Sequence, residues 1–201
     1  MLRVTQRLLQ LPTQRLPHLR RNITAGGAYF GGERASPAVL ATFDAWHSAV
    51  GTVMAGTADT SDAMRRLHPH VDPQCVFRPP TYYKPWRGRD ETLLLLGTVS
   101  EVFSTSFVYG RQWLSDDGRE WALEFTADVA DSGRTVHGID LVSLCDQGRI
   151  SEFTVLARPP NAVAALKVWP VLKLDPTGPQ LTHSSPAASC GRPQAPAGQI
   201  T

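Results

Sequence analysis

The sequence predicts an α+β domain in which helices come first and a curved antiparallel sheet follows. Three observations predict it. Apolar residues recur at helical spacing from Ala38 to Ala55. From Ser106 onward the apolar period becomes two, the repeat of a strand. Three short segments that end in glycine, Ser115 to Gly118, Asp131 to Gly133 and Asp146 to Gly148, divide that second half into four strands, as hairpin turns do.

The helical half begins at Ser36-Pro37, a favourable N-cap followed by proline at the first helical position. Leu40, Phe43, Ala45, Trp46, Val50, Val53 and Met54 form the apolar stripe, and Gly56 is the stop. His47 lies beside that stripe and reads as a satisfied core residue rather than a catalyst. Ser61 to Leu67 is a second, shorter helix ended by Pro69. Gln74 to Arg78 is a short strand, closed by Pro79-Pro80. Gly88 turns into a third helix whose first residues include Asp90 and Glu91, which suit the helix dipole, and which runs to about Ser104. The strands are Phe107 to Leu114, Glu120 to Val129, Thr135 to Cys145 and Arg149 to Arg158, and Asn161 to Lys167 adds a terminal helical turn.

Composition bounds the function. The 201 residues suffice for one domain with tails, and 42% hydrophobic with 19% charged residues fits a globular protein. A formal charge of +2 with no basic face of interleaved aromatics argues against a nucleic-acid partner. There is no apolar run of about 18 residues, so no membrane-spanning helix is expected. Cys75, Cys145 and Cys190 are odd in number and far apart, which points to a reducing compartment. No His/Cys/Asp cluster with metal spacing and no phosphate-cradling glycine loop is visible, so neither metal nor cofactor is expected.

One residue looks like chemistry. Val136, Gly138, Asp140, Val142 and Leu144 share one strand face, which puts a carboxylate amid apolar neighbours and glycine. Burial there raises a carboxyl's pKa unless a partner compensates. Asp140 is therefore either an acid/base or the partner of an arginine or backbone group. Glu124 shares a face with Ala122, Thr126 and Asp128, while Trp121, Leu123 and Phe125 share the other; the alternation leaves open which face looks inward. Arg78, Tyr82, Tyr83 and Trp86, with Trp46 from the first helix, are the further candidates for a pocket and its mouth.

The element order resembles the nuclear transport factor 2-like fold, a cone made by a curved antiparallel sheet packed by N-terminal helices. The segment Val76 to Gly88, with its prolines and Lys84-Pro85-Trp86-Arg87-Gly88, resembles the loop before the third helix of SnoaL-like proteins. Gly138-Ile139-Asp140, Asp146 to Ile150 and Arg158-Pro159 resemble their last hairpin. The resemblance covers roughly Pro37 to Lys167. It implies that Asp140 matches the aspartic acid that ketosteroid isomerases place in their oxyanion hole. Their general-base aspartate would fall near Arg78 or Pro79, and their helix-one tyrosine near Met54, none of which can serve.

Two functions stay open. One is a small-molecule enzyme, an isomerase, cyclase or dehydratase that uses Asp140 as acid/base on a small hydrophobic ligand. The other is a noncatalytic binding or assembly subunit. In either case a homodimer through the outer sheet face, with His137, Ile139 and Leu141, is expected. The domain is expected over residues 37–172, with a basic extension over 1–36 and a disordered tail over 173–201. Met1 to Gly32 holds no acidic residue, has the composition of a mitochondrial transit peptide, and reads as dispensable for folding. The stretch is either such a transit peptide or a disordered N-terminal extension; the first implies the mitochondrial matrix of a eukaryotic source, and otherwise the cytoplasm is expected.

Overall fold

The computed structural model describes residues 29–56, 58–103 and 106–166. The expected basic extension up to residue 28 and the tail from residue 167 lie outside them. Helix α1 (Pro37–Met54) starts where expected: the Ser36 hydroxyl accepts from the Val39 amide at 3.3 Å, with proline in the first turn. Helix α2 (Thr60–Leu67) follows, then a single 3-10 turn at His68–His70. Helix α3 (Arg89–Val102) carries Asp90 and Glu91 in its first turn, and the Thr92 hydroxyl donates to the Gly88 carbonyl at 2.7 Å. A last helix, α4, spans Pro160–Leu166.

The strands are β1 (Tyr29–Phe30), β2 (Val71–Arg78), β3 (Trp86–Arg87), β4 (Val108–Leu114), β5 (Glu120–Val129), β6 (Arg134–Leu144) and β7 (Ile150–Arg158). They form one sheet in the order β1-β4-β5-β6-β7-β2-β3. Strands β4 to β7 are the predicted antiparallel meander. Glycines 118, 133 and 148 take positive φ in its three turns, a conformation that other residues adopt only at a cost.

Two pairings add parallel edges to that antiparallel core. Strand β2 begins at Val71, earlier than expected, and pairs parallel to β7 with a register shift between Val71 and Val76. Pro73 falls within the shifted stretch, where a missing amide donor is tolerated. Strand β1 pairs parallel to β4, and the chain continues along that edge as the Gly32 amide donates to the Ser115 carbonyl at 3.1 Å. Tyr29 and Phe30 of the stretch expected to be dispensable thus form an edge strand of the sheet.

The core lies between the inner sheet face and the helices. It is built on large side chains: Phe43 and Trp46 of α1, Phe77 of β2, Tyr109 of β4, Phe125 of β5 and Phe153 of β7. Among the described residues, no helix is long and apolar enough to cross a membrane.

Candidate functional site

The alternation predicted for β6 holds over its length. Val136, Gly138, Asp140, Val142 and Leu144 are buried, while His137, Ile139 and Leu141 face out. In β5 the buried set is Trp121, Leu123, Phe125, Ala127 and Val129, so the face carrying Glu124 is the outer one. Asp140 pairs with Leu123 on one side and Val155 on the other, which surrounds its backbone with apolar residues.

Asp140 sits on the wall of a cavity of about 120 Å³. Helix α1 contributes Trp46, Val50 and Met54 to it, and α3 contributes Leu95, Leu96 and Val99. Strands β2 and β7 add Phe77, Phe153 and Val155. Pro79, Pro80, Thr81 and Tyr82, from the loop after β2, complete it. Of the described lining residues, only Asp140, Tyr109 and Tyr82 carry a titratable side chain.

The carboxyl is 5% exposed, and burial pushes its pKa up to about 7, against a partial downward pull from the Tyr109 hydrogen bond. Tyr109 Oη donates to Asp140 Oδ2 at 3.0 Å, and Trp46 Nε1 donates to Tyr109 Oη at 2.9 Å. Burial and then the Asp140 charge hold the Tyr109 hydroxyl well above the ordinary phenol range, so it stays protonated. The chain Trp46–Tyr109–Asp140 links α1, β4 and β6 through one line of hydrogen bonds. The partner of Asp140 is thus a tyrosine, not the arginine or backbone group that the sequence left open.

Tyr109 escapes the sequence pattern for a local reason. The register between β4 and β5 shifts between Tyr109 and Gln112, and both of those residues are buried while Gly110 and Arg111 are exposed. An irregularity of this kind breaks the period of two, so alternation along β4 does not predict which residues turn inward.

The other candidates separate. Trp46, Tyr82 and Asp140 meet at the cavity. Glu124 does not: on the outer face it accepts from Arg111 Nε at 2.8 Å and Nη2 at 2.9 Å, and that pairing holds its pKa down to about 2. Tyr83 is fully exposed and does not line the cavity. Arg78 forms an ion pair with Glu152, and Trp86 pairs with Phe77 in the short strand β3, half-buried against the core rather than lining the cavity.

His47 sits behind Tyr109, ring centroids 5.5 Å apart, with Nδ1 2.9 Å from the Phe43 carbonyl and Nε2 2.7 Å from Gln112 Oε1. Burial lowers its pKa. It is the satisfied core histidine that its place beside the stripe suggested. Among the described residues, no group of three or more His, Cys, Asp or Glu is placed to hold a metal ion.

Comparison with known proteins adds three solved structures. A steroid delta-isomerase from Pseudomonas aeruginosa shares 35% identity and a TM-score of 0.57, the match covering 67% of this chain and 89% of that one. An uncharacterised bacterial protein with a cystatin-like fold from Silicibacter pomeroyi DSS-3 shares 33% identity and a TM-score of 0.52, over 65% of this chain and 88% of that one. A candidate SnoaL-like polyketide cyclase from Jannaschia sp. CCS1 shares the fold at 14% identity and a TM-score of 0.51, over 67% of this chain and 97% of that one. No protein-family model and no curated protein matches the chain.

Proposed function

The chain belongs to the SnoaL-like, nuclear transport factor 2-like superfamily, and from that membership and the geometry of its cone we propose that it binds a small apolar molecule on which Asp140 acts as general acid or base. One observation carries the reading: a carboxyl with a pKa of about 7 on the wall of an otherwise apolar cavity. A group that titrates near neutrality is present in both forms at working pH, which is what proton transfer in either direction requires. An isomerisation, cyclisation or dehydration that moves one proton is within its reach.

The cavity limits the ligand. A dry apolar cavity of roughly 150 Å³ accommodates benzene, so about 120 Å³ suits a molecule of one ring. A steroid exceeds it unless side chains at the mouth, such as Tyr82 and Met54, move aside. The two-carboxylate arrangement that the family resemblance implies is also not reproduced. Pro79 and Met54 line the cavity near the positions of the base and the helix-one tyrosine, and neither can take a proton. For these reasons the activity named for the Pseudomonas neighbour is not carried over whole.

A second reading, a noncatalytic binding or assembly subunit, has its own support. No second carboxylate and no histidine joins Asp140 among the described lining residues. One experiment separates the two. Cyclohexenone in D₂O reports general acid/base action by exchange of the protons next to its carbonyl. The enzymatic reading expects wild-type protein to accelerate this exchange and Asp140→Asn to lose at least tenfold of the acceleration, since positioned acid/base groups contribute about 10²- to 10⁴-fold. Binding of cyclohexenone without any acceleration would leave the noncatalytic reading in its place.

A further inference from the structure

While Asp140 is ionised, the cavity's carboxyl is held by a chain of donors that has one direction. An indole N–H donates and cannot accept, while a phenol has one proton and accepts through its lone pairs. Trp46 Nε1 lies 2.9 Å from Tyr109 Oη, so the oxygen accepts there. The single Tyr109 proton is then directed at Asp140 Oδ2, 3.0 Å away. So long as the carboxyl is ionised, a tyrosine engaged on both sides in this way has no proton left for a ligand.

We propose that Trp46 and Tyr109 are positioning residues that pin one carboxyl oxygen of Asp140 and leave its other oxygen as the polar contact on that wall for an uncharged ligand bearing one hydrogen-bonding oxygen. The proposal rests on the small-molecule reading for its ligand but not for its geometry. Trp46 and Tyr109 are 4% and 1% exposed, so both act from within the core. Neighbouring rings hold them in place: Trp46 packs on Phe153 at 5.0 Å between ring centroids, and Tyr109 meets Phe107 edge-on at 5.0 Å.

Few other groups can influence the carboxyl. His47 of α1 lies behind the Tyr109 ring, and Tyr82 of the loop after β2 stands at the mouth, 36% exposed. Helices α2, α3 and α4 and strands β2, β5 and β7 face the cavity with uncharged, nontitrating side chains alone. Among the described residues, the one hydrogen bond that stabilises the Asp140 anion comes from Tyr109, and donation by Trp46 makes that hydroxyl a better donor.

The test is a titration of the full chain, labelled with ¹³C at aspartate carboxyls and free of ligand. The Asp140 resonance is the one that Asp140→Asn removes. In wild type its midpoint is expected near 7. Tyr109→Phe should move it upward by about one pH unit, the worth of one hydrogen bond to a charged group expressed as proton affinity. Trp46→Phe should move it in the same direction by less, and keeps the proposal testable where Tyr109→Phe does not fold. An unchanged midpoint in the folded variants would overturn the proposal. Failure of cyclohexenone to bind, with the midpoint shifted as expected, would remove the small-molecule reading and leave the positioning role intact.

Discussion

At the scale of single residues, the position of Asp140 makes stability depend on pH in a direction opposite to that of most carboxylates. Its pKa is about 7 in the folded protein against an ordinary 3.8. Between those values the folded state binds more protons than the unfolded one, so stability falls as pH rises and the full penalty is present above about 7. The gap, at about 1.4 kcal/mol per pH unit, is on the order of 4 kcal/mol. Asp140→Asn removes the charge, keeps the volume, and still offers Tyr109 an acceptor. It should therefore raise the melting temperature at pH 8 and have little effect near pH 4. A variant that is less stable than wild type at pH 8 would show that Asp140 is held as a charged structural partner, contrary to the geometry seen with Tyr109.

At the scale of elements, β6 depends on a close approach. A Cβ added at Gly138 would lie 2.3 Å from Phe125 Cζ, 2.5 Å from its Cε1 and 2.8 Å from the Leu156 carbonyl oxygen. Phe125 is buried and stacked on Phe107, and the Leu156 oxygen belongs to the backbone, so a turn of one side chain cannot relieve both contacts. Gly138→Ala is expected to cost about 1–3 kcal/mol, in the range of overpacked cores, read as a lower midpoint in urea at an unchanged slope. The edge strand β1 makes a second prediction. Its pairing to Gln112 and Trp113 continues through the Arg34 amide, which donates to the Asp116 carbonyl at 2.7 Å. A chain beginning at residue 35 should melt several degrees below one beginning at residue 29. Equal melting temperatures would mean that the edge of β4 needs no cover.

At the scale of the whole molecule, the outer sheet face is where a second copy is expected. Ile139, Leu141 and Leu156 stand on it at 36%, 40% and 56% exposure. An apolar surface in the middle of a sheet favours burial. Light scattering should give twice the 22.0 kDa of one chain, and Leu141→Glu should return the mass to that of a monomer without loss of helix or strand content. A wild-type protein that stays monomeric at high concentration removes this expectation.

Much of this fold is legible in the sequence because its signals are local. Ser36-Pro37 caps and starts α1 through bonds within four residues, the glycine turns accept positive φ on their own account, and the inward set of β6 follows from strict alternation. Asp140 could be placed on a buried face by the same rule. The partner of that carboxyl could not, because Tyr109 lies 31 residues away and its inward orientation depends on the register shift in β4. The inner face of β5 was equally undecidable from alternation, since a slip of one residue exchanges the two faces. In the folded chain Leu123 pairs opposite buried Asp140, and Arg111 bonds Glu124 on the outer side. Alternation and turn chemistry are written in neighbouring residues, whereas registers, bulges and desolvation arise only when distant strands meet. The sequence alone therefore determined that Asp140 would lie on a buried strand face, and the tertiary structure decided which donor holds it and how much its proton affinity rises.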